Sequence, residues 1–252
     1  MSFSIPSMKG FISKVNTGSS GGWTPANLSG LKFWVRSDQG FTPSDGSTNA
    51  TWNDLSGNGL NLTANIAGNY ITKQSAVLGS KDGIKFTNSA YFRSNPNNMV
   101  ALYNVAYPNN FIIVFVYRYY GNGFTEEAFY RQDQQGFYLY NGKWKEIYGF
   151  GETSTVNSEM DTTNAMILTG TSSTAYTITN NRYGNVTLSP LFGTYANMSS
   201  TTFNIGGMPN EGYYALNTYF GEIIVARPAS TSDISNLKTY LNDYWNFNYL
   251  FS

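Results

Sequence analysis

One segment, Phe111–Tyr119, constrains the fold more than any other part of the sequence. It reads FIIVFVYRY, a nearly continuous run of β-branched and aromatic residues. Because apolar and polar residues do not alternate along it, the run is typical of a central strand that is covered on both faces. A chain that contains such a strand needs packing layers above and below one of its sheets.

Shorter strand candidates follow this run and are separated by turn signals. Tyr138–Trp144 is the clearest hairpin, because Asn141-Gly142 suits a type I′ turn between two strands. Many short strands at regular spacing predict an all-β sandwich or jelly roll. The other turn signals are Gly121-Asn-Gly123, Asn180-Asn181 and Gly206-Gly207. The other strand candidates are Glu127–Arg131, Gly136–Tyr140, Ala165–Gly170, Ala175–Thr179, Thr202–Ile205 and Tyr219–Ala226.

A single helix is predicted near the end of the chain. Ser230-Thr-Ser-Asp233 offers N-cap residues and an acidic side chain for the first turn. Apolar residues then recur at spacings of three and four, which is the periodicity of an amphipathic helix. They are Ile234, Leu237, Tyr240, Leu241, Tyr244 and Trp245.

The composition excludes several classes of chemistry. The 252 residues include 15 basic and 15 acidic side chains, no His and no Cys, and 17% are aromatic. A chain so rich in large rings can bury a core, and its length fits one all-β domain. The absences exclude a disulfide framework, a thiolate nucleophile, a His-dependent triad and zinc held by imidazole or Cys. Zero net charge argues against a nucleic-acid partner.

The chain divides into an arm with its linker, residues 1–25, and one domain, residues 26–252. Asn16–Gly22 is a Gly/Ser-rich linker by composition. The arm before it is interpreted either as an anchor that a partner orders or as a disordered tail. The arm does not contain the apolar core of a signal peptide. No apolar stretch in the sequence approaches the ~20 residues of a membrane span. The anchoring residues of the first interpretation are Phe3, Ile5, Met8, Phe11 and Ile12.

Two segments resemble the ends of a known family of domains. Leu28–Gly40 (LSGLKFWVRSDQG) with Thr51–Gly59 (TWNDLSGNG) is similar to the opening strand and turn of concanavalin A-like, laminin-G-type jelly rolls. Phe220–Arg227 (FGEIIVAR), followed by the capped helix to Leu241, is similar to their closing strand and helix. The resemblance implies an antiparallel β-sandwich with a short C-terminal helix. It also implies a glycan-binding or structural role of the kind that such modules have in phage virion proteins.

The opening motif has a physical interpretation of its own. Ser56-Gly-Asn-Gly59 predicts a tight turn in which the Asp54 carboxylate accepts backbone N–H groups two residues on. Trp34 and Trp52 are predicted to fill the core. Asp38 and Asp54 are also the candidates for ligating calcium through oxygen, although no Asp-x-Asp-x-Asp-Gly run is present. No other cofactor is expected.

Catalysis is not expected. Retaining glucanases on this kind of jelly roll need two facing carboxylates about 5–5.5 Å apart. The nearest match to their motif is Glu159-Met-Asp161, but Asn164 stands where the acid/base would be. Glu126 and Glu127 are adjacent and would lie on opposite faces of a strand. A hydrolase with an unfamiliar carboxylate pair, such as Glu159 and Asp161, stays as the alternative.

Surface recognition therefore becomes the leading hypothesis. Aromatic rings stack on the apolar face of a sugar, and neighbouring amides and carboxylates bind its hydroxyls. Many of the tyrosines can equally be core residues, because rings favour strands. The candidates predicted to lie in turns and to bind glycans are Tyr120, Trp144, Tyr213, Tyr214 and Asn210.

The sequence thus predicts a non-enzymatic virion surface protein made in the host cytoplasm. Its arm would contact other virion proteins, and its lectin-like domain would bind host glycans or cement neighbouring subunits. No nucleic acid or membrane partner is expected, and a homo-oligomer is left open because no heptad seam is present. A cellular surface lectin is a further alternative.

Overall fold

The computed structural model describes most of the domain that the sequence predicts. It covers residues 22–68, 70–87, 89–94, 111–120, 126–132, 135–140, 143–148, 151–157, 163–172, 175–181, 184–188, 203–208, 213–214, 217–247 and 251. The arm residues Phe3, Ile5, Met8, Phe11 and Ile12 lie outside these ranges, as does Asn210.

The first sheet, sheet A, holds the predicted central strand and has helix α1 (Thr231–Trp245) on its outer face. Its pairings are all antiparallel, in the order β15-β14-β13-β8-β19-β6-β5, and β1 also pairs with β19. Its strands are β1 (Leu31–Arg36), β5 (Ile71–Leu78), β6 (Lys81–Phe86), β8 (Phe111–Tyr119), β13 (Thr163–Ser172), β14 (Ala175–Asn180), β15 (Gly184–Leu188) and β19 (Thr218–Ala226).

The second sheet, sheet B, packs against the other face of sheet A. Its order is β12-β11-β10-β9-β16-β7-β4-β3-β2, again antiparallel throughout. Its strands are β2 (Phe41–Thr42), β3 (Thr51–Trp52), β4 (Leu62–Ala64), β7 (Phe92–Ser94), β9 (Glu126–Gln132), β10 (Gln135–Tyr140), β11 (Lys143–Tyr148), β12 (Gly151–Asn157) and β16 (Phe203–Ile205). A short ribbon of β17 (Gly207–Met208) and β18 (Tyr213–Tyr214) lies beside β9, and a 3-10 turn spans Pro25–Asn27.

Strand β8 confirms the prediction made from its sequence. Phe115 and Tyr117 face the core between the two sheets, whereas Val114 and Val116 face the layer under α1, and all four are fully buried. Successive side chains of a strand point to opposite faces, so a strand buried on both faces has no polar alternation. The hairpin is confirmed too, since Tyr140 pairs with Lys143 across the two-residue connection.

The two motifs that resemble the ends of a jelly roll pair with each other. Strand β1 lies antiparallel to β19, with Trp34 opposite Ile224 and Arg36 opposite Glu222. Trp34 and Trp52 are both buried, as predicted. The pairing brings residues about 190 positions apart in sequence into neighbouring strands, because the domain's first and last strands close the same sheet.

Helix α1 begins and ends at residues with capping chemistry. Ser230 is the N-cap: its Oγ accepts from Asp233 N at 3.1 Å, and Asp233 Oδ2 accepts from Ser230 N at 2.8 Å. Asn246 follows in the left-handed conformation with φ 48°. Gly221 on β19 leaves room for the helix, because a Cβ there would lie 2.7 Å from Trp245 Cη2.

A buried carboxylate joins α1 to sheet A. Glu222 has no exposed surface, and its Oε1 accepts from Trp34 Nε1 at 2.7 Å and from the Tyr240 hydroxyl at 2.8 Å. Its Oε2 accepts from Trp245 Nε1 at 2.7 Å. Burial raises the pKa of the Glu222 carboxyl, and the hydrogen bonds from Trp245, Trp34 and Tyr240 oppose that rise. The buried carboxylate thus accepts hydrogen bonds from the opening strand β1 and from helix α1.

Arg36 extends this network to the surface. It donates to the Tyr240 hydroxyl at 3.1 Å and to Asp38 Oδ1 at 2.7 Å, and the Tyr244 hydroxyl donates to Asp38 Oδ2. Its guanidinium also lies 4.4 Å from the centre of the Tyr244 ring. Partial burial raises the pKa of the Asp38 carboxyl, but the bonds from Tyr244 and Arg36 outweigh it, so that the net pKa lies below 3.8.

We expect Trp34→Phe and Trp245→Phe each to lower the free energy of unfolding by about 1.5–3 kcal/mol, because each removes a donor to a buried carboxylate. Urea denaturation followed by far-UV circular dichroism measures the loss. Trp23→Phe is the control, since Trp23 packs edge-on against Tyr240 without donating to Glu222. Equal losses for all three variants would mean that the hydrogen bonds contribute nothing beyond ring packing.

Asp38→Asn should destabilise the protein at neutral pH by about 1 kcal/mol. Because the pKa of Asp38 is depressed in the folded state, its stabilisation is present above pH 3.8 and is lost as pH falls through the folded pKa. The difference between wild type and variant in urea denaturation should therefore shrink below that pH. Tyr244→Phe, which removes one donor to the same carboxylate, should show a smaller effect of the same sign. A difference that is independent of pH would contradict this account.

Candidate functional site

The two outer faces of the sandwich differ in the part of the chain that the structure describes. Helix α1 covers the outer face of sheet A, where Leu237 and Leu241 pack on Val114 and Ile167. The outer face of sheet B carries exposed polar residues on β4 and β7 instead. In this described part of sheet B, the exposed outer face of β4 and β7 is the open face considered for a ligand.

Two neighbouring residue pairs lie at one end of β4 and β7 on this open face. Thr63 pairs with Arg93 across β4 and β7, and both are exposed, while their strand neighbours are buried. One step along, Asn65 pairs with Tyr91: Asn65 N donates to the Tyr91 carbonyl at 2.9 Å, and Tyr91 N donates to Asn65 Oδ1 at 2.7 Å. Asn65 and Tyr91 lie just beyond the two paired strands, and both are half-buried.

These four residues line a cavity of about 410 Å³. The size is within the range of small-ligand sites, which combine apolar or aromatic walls with a few polar groups. Among the residues that the structure describes, a half-buried tyrosine, an amide, hydroxyl groups and a guanidinium line it, and none of these lining residues carries a carboxylate. The described lining residues are Thr63, Ala64, Asn65, Tyr91, Arg93 and Ser94.

Both acidic candidates for calcium make hydrogen bonds within the protein. Asp54 Oδ1 accepts from Trp34 N at 3.0 Å and from Ser56 N at 2.9 Å, and Oδ2 accepts from Leu60 N at 3.0 Å. This confirms the predicted turn, in which Gly57 and Gly59 have φ of 85° and 72°. Asp38 is paired with Arg36, as described above. Over the described ranges, no three acidic side chains cluster as a metal site would require.

Tyr120 is the one predicted glycan residue whose side chain is described. It follows β8, is half-buried, and stacks on Tyr219 with 4.6 Å between ring centres and an interplanar angle of 29°. Lys85 Nζ lies 5.4 Å from the centre of its ring. Its neighbours Tyr117 and Tyr119 are fully buried, so they are core residues.

The backbone positions of three other predicted glycan residues lie on strands that Tyr120 does not follow. Trp144 lies on β11 of sheet B, opposite Leu139, whereas Tyr120 follows a strand of sheet A. Tyr213 and Tyr214 form β18 and pair with β17. For Trp144, Tyr213 and Tyr214 the structure describes backbone positions, and Asn210 lies outside the described residues. The predicted set is thus distributed over both sheets and the short ribbon.

The cavity residues were missed by the sequence reasoning. A signal was present in Leu62–Asn65, where apolar and polar residues alternate, whereas Tyr91–Ser94 shows no such alternation. Each stretch is only four residues long, which is too short to distinguish a strand from a loop by periodicity. Only the pairing of β4 with β7 places the two polar sets side by side.

The carboxylate of Glu222 is not accessible to a substrate. Glu222 is sealed beneath Trp34 and Trp245 and has no exposed surface, so its role is structural. Glu159 and Asp161 lie outside the described residues.

In the part of the chain that the structure describes, no helix is long and apolar enough to cross a membrane.

The two sequence comparisons found no match: no family model matches this chain, and no curated protein matches it. Solved structures do resemble it. Trypanosoma rangeli sialidase matches with a TM-score of 0.58 at 14% identity, over 87% of this chain and 34% of that one. The same enzyme in complex with sialic acid matches with a TM-score of 0.56 at 13% identity.

Toxin domains resemble it equally well. The binding domain of botulinum neurotoxin serotype D gives a TM-score of 0.56 at 10% identity, covering 84% of this chain and 53% of that one. The chain thus spans about a third of the sialidase and about half of the toxin domain. These likenesses show a lectin-like fold. They confirm the predicted concanavalin A-like antiparallel β-sandwich (jelly roll) with a C-terminal helix.

Proposed function

We propose that this chain is a non-catalytic recognition protein whose β-sandwich binds glycans on the open face of sheet B. The observation that carries the proposal is the cavity lined by Thr63, Asn65, Tyr91 and Arg93. A tyrosine offers a ring for the apolar face of a sugar, and the other three offer hydrogen-bonding groups for its hydroxyls. The lining thus has the combination of groups that a His-free sugar site requires.

The free hydrogen-bonding capacity of the cavity supports a polar ligand. Asn65 Oδ1 is occupied by Tyr91 N, which orients the amide and leaves its two Nδ2–H donors to the cavity. Arg93 takes part in neither of the ion pairs found among the described residues, which are Arg36–Asp38 and Lys73–Asp82. A ligand with several oxygen acceptors is therefore the complement of this surface.

The fold likenesses agree with a recognition role. The receptor binding domain of botulinum neurotoxin mosaic serotype C/D gives a TM-score of 0.52 at 10% identity. A receptor-binding domain has no need of a pair of catalytic carboxylates. The Glu222 carboxylate is fully buried and is therefore unavailable for catalysis. We therefore propose binding without hydrolysis.

The finer part of the proposal concerns where the protein works. The motifs of residues 28–59 and 220–241 resemble modules of phage virion proteins, and a Gly/Ser linker separates the domain from an apolar arm. We propose that the arm anchors the chain to other virion proteins and that the sandwich faces outward, to bind host glycans or to cement subunits.

On a glycan array, the full chain should bind at least one glycan, and Tyr91→Ala should weaken that binding at least about tenfold because the stacking ring is lost. Tyr120→Ala is the matched control on the other sheet, and it should leave the binding unchanged. If Tyr120→Ala abolishes binding and Tyr91→Ala does not, the site is the Tyr120–Tyr219 stack and the cavity proposal is wrong. Release of free sugar from the bound glycan would contradict the absence of hydrolysis.

The anchoring role is tested by co-sedimentation with virion shells that lack this protein. The full chain should sediment with the shells, and the chain that begins at Gly22 should not, because the apolar arm is missing. Both should bind the same glycans. Should both bind glycans while neither sediments with shells, the virion role would be wrong and a cellular lectin would take its place.

A further inference from the structure

Among the described residues, the cavity contains one positive charge that forms no ion pair. Arg93 is exposed, is absent from both ion pairs of the described residues, and lies beside described lining residues that carry no carboxylate. A guanidinium presents N–H donors in a planar fork that matches a carboxylate in a bidentate manner. A ligand that carries a carboxylate would supply a partner for this fork.

The register of sheet B surrounds Arg93 with polar positions. Thr63 lies opposite it on β4 and Asn204 on β16, each about 4.8 Å away in the hydrogen-bonding direction. Arg93 therefore lies between two polar residues, a threonine and an asparagine, on the neighbouring strands.

Tyr91 and Arg93 both line the cavity and lie close together in the chain. Tyr91 and Arg93 are two residues apart on an extended segment, which places their Cα atoms about 7 Å apart. A pyranose that stacks on Tyr91 would extend its ring substituent towards Arg93. A neutral substituent would leave the guanidinium without an ionic partner, whereas a carboxylate would pair with it.

We infer that the cavity selects acidic sugars, that is, monosaccharides whose ring carries a carboxylate, and that Arg93 is the specificity-determining residue. The inference rests on the proposed function. Hexuronic acids and nonulosonic acids share this chemistry, so the test includes one of each.

The experiment titrates the full chain with two pairs of probes and follows amide chemical shifts. The first pair is methyl β-D-glucuronide and methyl β-D-glucoside, and the second is the methyl glycoside of N-acetylneuraminic acid and its methyl ester. At least one acid should bind at least about tenfold more tightly than its neutral counterpart, as charge-assisted hydrogen bonds require. Added salt should weaken the binding of the acid and leave that of the neutral sugar unchanged.

Variants assign the preference to Arg93. Arg93→Ala should remove the difference between acid and neutral sugar, and Arg93→Lys should keep part of it, because the charge stays while the fork is lost. Lys73→Ala removes one positive charge from an exposed side chain of sheet A, and it should keep the full preference. Since Arg93 is exposed, its variants should keep the wild-type amide spectrum elsewhere.

The outcomes separate the two proposals. If acidic and neutral sugars bind equally, or if Arg93→Ala keeps the preference, the inference fails while glycan binding stands. If none of the four probes binds and the glycan array is also blank, both proposals fail. If only the glucuronide or only the sialoside shows the Arg93-dependent preference, the inference holds and the class of acid is identified.

Discussion

The rest of the structure depends on the contacts of one buried carboxylate. Glu222 lies in the middle of β19, and its acceptors are filled by Trp34 from the opening strand and by Tyr240 and Trp245 from α1. A buried charge is tolerated only when its hydrogen bonds are made, so the three elements have to meet in one arrangement. This requirement sets the position of the helix and closes sheet A around its central strands.

That arrangement determines which face of the sandwich is covered by the helix. With α1 held against sheet A, the hydrophobic residues of β8 and β19 that face outward are covered. On sheet B, strands β4 and β7 have exposed polar residues on their outer face and bring Thr63 and Arg93 together. The Glu222 network and the proposed binding site therefore lie on opposite sides of the sandwich. We expect a variant in the cavity to leave the Glu222 network intact.

Several features could be predicted because they depend on local sequence or on strong patterns. The apolar run of β8 predicts burial on both faces, Asn141-Gly142 predicts a hairpin, and Ser230 with Asp233 predicts the start of α1. The candidate site was less accessible. Tyr120 proved to be half-buried, yet the cavity involves Arg93, on a strand of only three residues, and Tyr91, which precedes that strand.

The sequence by itself determined the fold class, the helix and its cap, the turn around Asp54, and the exclusion of His and Cys chemistry. Those features follow from periodicity, turn chemistry and composition, which act over a few residues. Only the tertiary structure decided that Glu222 receives hydrogen bonds from residues at both ends of the domain. It alone also decided that Arg93 stands opposite Thr63, outside the two ion pairs of the described residues. Strand register joins positions far apart in the chain, and no local pattern encodes which strands will be neighbours.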